Sequence, residues 1–142
     1  MYTTYDLMTR DLVTLRETDA LDDAERQLEL RHIRHLPVVR DGKLLGLVTP
    51  RELIRACVHA REGRKVTVGD VMLHDVVTIN ARTSLREAVK TMLVQQIGCL
   101  PVVDDDGTLV GIITEADFLR FADARVEELD RREQASGYEA DG

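Results

Sequence analysis

Apolar residues fall along this chain in two matching sets. In the first, a short run at Val13–Leu15 is followed by Leu21, Ala24 and Leu28 at helical spacing. Two further apolar runs, Leu36–Val39 and Leu44–Val48, are joined at Asp41-Gly42, and a second helical stretch opens after Thr49. The second set repeats the order with Val76–Ile79, then Leu85, Ala88, Val89 and Met92, then Leu100–Val103 and Leu109–Ile113, and a helical stretch after Thr114. Apolar positions three and four apart predict amphipathic helices, and apolar runs on either side of Asp-Gly predict a hairpin, because glycine supplies the positive φ of a tight turn. Each set therefore reads strand, helix, strand, strand, helix. Asp19 and Ser84 are the expected N-caps, and Glu87, three residues after Ser84, predicts a reciprocal capping box.

The two sets are copies of one unit. Aligning residues 6–53 with 70–118, and allowing one extra residue at Asp106, leaves 17 of 48 positions identical. The shared frame is Asp-x-Met, Val-Thr, Leu-x-x-Ala, Leu-Pro-Val-Val, Gly, Gly and Thr. A repeat of this length that cannot bury its apolar face alone packs against its neighbour, so a site at the junction should occur twice. At 142 residues the chain suits one compact module with a shared core. The expected division is 1–60 and 66–124 for the repeats, a polar link over 61–65, and an acidic helix end and tail over 125–142. Helical patterning is expected to continue to about Arg132.

Charge narrows the partners. A formal charge of -7 and a pI near 5.1 give no positive field to attract DNA or RNA. No apolar run approaches the roughly 20 residues that span a bilayer, so no membrane role is expected. Cys57 and Cys99 lie in apolar stretches without CxxC spacing or a preceding secretory signal, which predicts buried, reduced thiols in a soluble cytoplasmic protein. Residues 123–142 hold seven acidic and three basic side chains, and read as a solvated helix with a frayed end.

Candidate chemistry sits where each hairpin runs into the following helix. Gly46-Leu47-Val48-Thr49-Pro50-Arg51-Glu52 and Gly111-Ile112-Ile113-Thr114-Glu115-Ala116-Asp117 both place a threonine at a helix start with a carboxylate three residues on. A capping box accounts for that spacing. A second account is recognition. Free amides at a helix N-terminus and a threonine hydroxyl suit a phosphate, while an acceptor-only carboxylate suits the two adjacent hydroxyls of a ribose. Apolar strand edges nearby could sandwich a base. The pattern occurs twice, each time after Leu-Pro-Val-Val and a hairpin, and it points to a nucleotide pocket.

Together these motifs resemble the CBS (cystathionine β-synthase) domain family, whose repeats pair into a Bateman module. The similarity covers about residues 4–122 and rests on Asp-Leu-Met8 and Asp-Val-Met72, both Leu-Pro-Val-Val strands and both Gly-h-h-Thr-x-x-acid motifs, where h is hydrophobic. It implies a free-standing α/β (α+β) pair of β-α-β-β-α repeats, related by a pseudo-twofold axis and packed sheet against sheet. It also implies two clefts that take adenosine-containing ligands such as AMP, ADP, ATP or S-adenosylmethionine, with the sugar-binding acid and part of the base-binding wall coming from different repeats. The first cleft would join Thr114 and Asp117 to Val13, Thr14 and the 34–37 segment, with Arg34, His35 and Pro37. The second would join Thr49 and Glu52 to Val77, Thr78 and the 98–101 segment, with Pro101. Glu52 departs from the family's aspartate, and Arg34 and His35 correspond to Gly98 and Cys99, so the Asp117 cleft is the one expected to be occupied.

Other constellations are thinner. His32 and His35 have no third ligand at metal-binding spacing, Asp104–Asp106 form a solvated hairpin tip, and His59 and His74 read as surface residues. Ser84 is a cap, and no serine or cysteine is paired with a base, so no catalytic residue or required cofactor is expected. The leading reading is a non-enzymatic regulatory module, dimeric through its second helices (Leu53, Ile54, Val58; Phe118, Leu119, Phe121), that acts on an unidentified protein in trans. The alternative is a structural dimerisation scaffold with empty clefts.

Overall fold

The computed structural model describes residues 1–59 and 65–140. The expected link over 61–65, apart from Lys65, lies outside the described residues, as do the end of the tail at 141–142 and the side chain of His59. The order is α1 (Thr4–Leu7), α2 (Leu21–Arg31), β1 (Leu36–Arg40), β2 (Lys43–Val48), α3 (Pro50–His59), α4 (Val68–Val71), α5 (Leu85–Gln95), β3 (Cys99–Val103), β4 (Leu109–Thr114) and α6 (Glu115–Ala140). This is an α+β fold built on two antiparallel hairpins, β1–β2 and β3–β4, in matching registers with a bulge at Val38/Val39 and at Val102/Val103.

Each hairpin follows from its turn. Asp41 and Gly42 both have positive φ (51° and 79°), the conformation that lets a two-residue turn match strand twist. The second turn is one residue longer. Asp104 accepts hydrogen bonds through Oδ1 from the amides of Asp106 and Thr108, each at 2.9 Å, so this carboxylate is occupied in shaping the loop. The tips meet across the pseudo-twofold: Leu44 N–H donates to Gly107 O (3.2 Å) and Leu109 N–H to Gly42 O (2.9 Å).

The expected first strands shrink to single parallel bridges, Leu15 to Val38 and Ile79 to Val102. Further back along each segment, Leu12 and Val76 pack on the cluster that joins the two hairpins. The segment ahead of each repeat crosses over: Thr9 pairs antiparallel with Ile112 of β4, and Leu73 with Leu47 of β2. Two one-turn helices that the apolar pattern did not announce, α1 and α4, anchor these segments. Asp6 and Asp70 of the Asp-x-Met motifs accept from the amides of Thr3 (2.8 Å) and Thr67 (3.0 Å) in capping boxes. Leu7 consequently packs into the core of Leu85, Ala88, Met92, Leu100 and Ile113, while Val68 and Met72 sit in the core of Leu15, Ala24, Leu28, Leu36, Val38 and Val48. A third cluster of Leu47, Cys99 and Ile112 joins the hairpins.

Three local expectations are corrected. Ala20, not Asp19, is the N-cap of α2, because Asp19 turns back to accept from Arg16 N–H (2.8 Å). Cys57 is exposed on α3, while Cys99 is buried; burial first, and the Glu52 carboxylate second, push its thiol pKa up to about 12. The C-terminal helix does not stop near Arg132 but runs to Ala140.

The crossing needs glycine. A Cβ on Gly46 would stand 2.6 Å from Leu73 O and 2.7 Å from Met72 Sδ, whereas one on Gly111 would meet Met8 Sδ at 2.8 Å and Thr9 O at 3.1 Å. The Gly46 contact is tighter, and its nearest atom is a backbone oxygen rather than the end of a flexible side chain. Gly46→Ala should therefore lower stability by about 1–3 kcal/mol, more than Gly111→Ala does, whereas Gly137→Ala, which meets nothing within 4 Å, should not lower it. Urea unfolding curves of the three variants check the order.

Candidate functional site

The ends of β2 and β4 deliver both threonine–acid pairs to helix starts. Thr49 N–H donates to Glu52 Oε2 at 2.7 Å and the Thr49 hydroxyl contacts the same oxygen; Thr114 N–H donates to Asp117 Oδ2 at 2.8 Å and its hydroxyl at 3.3 Å. Both acids are buried, at 6% exposure for Glu52 and 7% for Asp117. The carboxylate half of the capping account is thus present at both places, while each threonine hydroxyl turns to the acid rather than to the amide three residues on. Asp117 differs in that its second oxygen, Oδ1, is ion-paired at 2.6 Å with Arg120, whose own side chain remains largely exposed.

A cavity of about 490 Å³ lies at the Asp117 end and draws on both repeats. Thr114, Asp117 and Arg120 line one side, and Val13, Arg34, His35 and Pro37 the other, with Leu12, Ile33, Ile112 and Leu119 supplying apolar surface. Ligand pockets typically occupy 300–1,000 Å³ and combine apolar walls with a few polar groups. The loop between α2 and β1 makes the far wall: His32 caps α2 in the left-handed conformation (φ 53°), which turns Ile33, Arg34 and His35 toward the second repeat.

His35 is half-buried beside the cavity. Its Nδ1 is buried with no hydrogen-bond partner among the described residues, and the other edge of its ring faces Gly98, whose added Cβ would lie 3.7 Å from it. Burial lowers its pKa below the ordinary 6.5; Glu115 opposes that, Arg34 reinforces it and Glu52 opposes it. His35 is therefore the neutral imidazole at neutral pH.

Six expected residues thus meet around one cavity: Thr114, Asp117, Val13, Arg34, His35 and Pro37. Thr14 points away, into a separate surface depression with Arg16 and Arg40. Thr49 and Glu52 do not line the Asp117 cavity. Val77 packs against the second core, Thr78 faces another shallow depression with Asn80 and Lys90, and Pro101 is buried in β3, where its carbonyl accepts from Ile79 N–H. Arg120 and Leu119 were not anticipated at the site. The only trace of Arg120 in the sequence is its position one helical turn after Asp117, a spacing too common on helix surfaces to single it out. Among the described residues no group of three metal-ligating side chains gathers.

The family model for the CBS domain matches twice, over residues 5–59 and 68–124. The chain belongs to the CBS domain family. Among solved CBS-pair structures it resembles an acetoin utilization protein, AcuB, of Vibrio cholerae, at 37% identity and a TM-score of 0.83 over 92% of this chain and 97% of that one. It also resembles CBSX2 of Arabidopsis thaliana in complex with AMP, at 29% identity and a TM-score of 0.78 over 89% and 99% of the two chains. The CBS pair of a further protein, crystallised with 5′-methylthioadenosine and S-adenosyl-L-methionine, is 28% identical with a TM-score of 0.74, covering 84% of this chain and 98% of that one. Among curated relatives, an uncharacterized protein of Methanocaldococcus jannaschii is 33% identical over 82% of this chain, which spans 45% of its length. An inosine-5′-monophosphate dehydrogenase of Thermoplasma acidophilum is 36% identical over 83% of this chain, which spans 24% of the enzyme. The chain thus covers less than half of either protein.

A CBS pair with a half-buried neutral histidine should be acid-sensitive. In the unfolded chain His35 binds its proton at the ordinary 6.5, above its value in the fold, so between the two the unfolded state holds more protons. The contribution is full above pH 6.5 and is lost as pH falls through the folded value. Melting temperatures between pH 7.5 and 5 should fall less steeply for His35→Gln than for the wild type.

Proposed function

We propose that this CBS pair is a non-enzymatic regulatory module that binds an adenosine-containing nucleotide in the Asp117 cavity and passes its state to a partner protein in trans. The observation that carries the reading is the cavity itself, in which Thr114 and Asp117 of one repeat face Arg34, His35 and Pro37 of the other. Asp117 would accept the two ribose hydroxyls, Val13 and Pro37 would flank the base, and Arg34 with Arg120 would meet phosphate. A ligand so placed touches both repeats and can bias their packing by its difference in affinity between states. The AMP and S-adenosylmethionine complexes of the related pairs support this ligand class. AMP, ADP, ATP and S-adenosylmethionine remain the candidates, as regulatory ligands rather than cofactors.

No described helix is long and apolar enough to cross a membrane. A cytoplasmic location belongs to the same proposal and rests on the sequence reading alone. A homodimer is part of the same reading. Ile54, Val58 and Leu119 stand 67–70% exposed on α3 and α6. The apolar face first read from the sequence is narrower than expected, since Leu53, Phe118 and Phe121 turn inward to the cores. Those exposed residues also favour the second reading, a dimerisation scaffold whose clefts stay empty.

Isothermal titration calorimetry with AMP, ATP and S-adenosylmethionine separates the two. At least one should bind, and Asp117→Ala should weaken it at least ~10-fold, the scale of one or more charge-assisted hydrogen bonds, while Glu52→Ala has a smaller effect. Silence for all three at millimolar concentration would leave the scaffold reading standing.

A further inference from the structure

Helix α6 continues well beyond the hairpins it follows. Its first turns are fixed by Phe118 and Phe121, which pack on the second core, and Phe121 meets the Tyr2 ring edge-on at 4.9 Å. A different face carries Leu119, Ala122, Val126 and Leu129, all exposed, the three large ones at 70%, 55% and 57%. Their spacing of three, four and three is the a-d-a-d stripe of a heptad.

The flanks of that stripe say what covers it. With Leu119 and Val126 at a and Ala122 and Leu129 at d, Asp123 and Asp130 occupy both e positions, and Arg125 and Arg132 occupy the g positions that follow each d. In a parallel pair the g residue of one helix meets the e residue of the next heptad on the other, so Arg125 would face the partner helix's copy of Asp130, twice by symmetry. An antiparallel pair would set arginine against arginine and aspartate against aspartate. The charges therefore fit a second copy of this helix in one orientation only. Present partners of the arginines compete weakly: Arg125 and Arg132 both lean on Glu128 of their own helix, at 3.5 and 2.8 Å, in exposed pairs of little worth.

We propose that α6 is a dimerisation helix that pairs in parallel with α6 of a second copy through Leu119, Ala122, Val126 and Leu129. This rests on the dimeric reading given above and fixes both its seam and its direction. Leu119 belongs at once to the first layer of the seam and to the wall of the Asp117 cavity. A ligand that displaces Leu119 acts on the seam directly, and dimerisation in return changes ligand affinity by the same factor.

Sedimentation equilibrium of the full chain tests the seam. The wild type should be dimeric, and Val126→Asp/Leu129→Asp should weaken dimerisation at least ~100-fold, since each change buries charge in an apolar layer, with circular dichroism reporting that the fold is kept. Arg125→Glu/Arg132→Glu should also weaken the dimer, and adding Asp123→Arg/Asp130→Arg should restore it. In a Cys57→Ser background, Leu129→Cys should form a disulfide-linked dimer on oxidation, because a parallel register sets the two positions face to face. A double-aspartate variant that stays dimeric overturns the α6 seam and leaves dimerisation through α3 intact; a wild type that is monomeric at every concentration overturns both. Failure of the Leu129→Cys variant to cross-link while it remains dimeric overturns the parallel orientation.

Discussion

Two reciprocal pairs of backbone hydrogen bonds, Thr9 with Ile112 and Leu47 with Leu73, hold the leading segment of each repeat on the sheet of the other. Much else depends on that exchange. It carries Leu7 into one core and Met72 into the other, it requires glycine at 46 and 111, and it places Thr9 and Leu12 against the helix start that bears Asp117. The cavity combines both repeats because the backbone does so first. The tips of the hairpins repeat the exchange on a smaller scale, each lending a carbonyl to the other's amide.

The pseudo-twofold that organises the backbone does not extend to the chemistry. Asp117 and Glu52 cap equivalent helices in equivalent ways, but the segments facing them carry Arg34 and His35 on one side and Gly98 and Cys99 on the other. The difference is complementary in shape as well as charge. A Cβ at position 98 would just touch the His35 ring and the Glu115 carboxyl carbon, each at 3.7 Å, so only a longer side chain there would compete with them for space. A symmetric pair of arginine-histidine loops would crowd the axis and gather four such side chains there. Losing both from one repeat relieves this and leaves one cavity with a basic wall.

The hairpins were legible in the sequence because Asp-Gly and the apolar runs around it act locally, over few residues. The exchange was not, since a leading segment has the same apolar pattern whichever sheet it joins, and Asp6 and Asp70 carry a capping role that only the formed turn reveals. The same limit shaped the site. Val13 and Thr14 are adjacent in extended chain, so their side chains must diverge, and only Val13 faces the cavity. Thr114 with Asp117 could be found because the motif occurs twice. Arg120 could not, because a basic residue one turn after an acid is what any solvated helix surface looks like.

The pairing of Asp117 with Arg120 has a consequence for selectivity. The amide and hydroxyl of Thr114 take one carboxylate oxygen and Arg120 leans on the other, so a sugar that reaches Asp117 competes with Arg120 for Oδ1. A nucleoside would displace the guanidinium into water and offer it nothing. A nucleotide could present a phosphate to the same freed guanidinium, so the cost of opening the pair would be recovered only by ligands that carry an anion at the right reach. The salt bridge would then act as a threshold, letting a carboxylate that reads ribose discriminate, through its neighbour, for a charge it never touches.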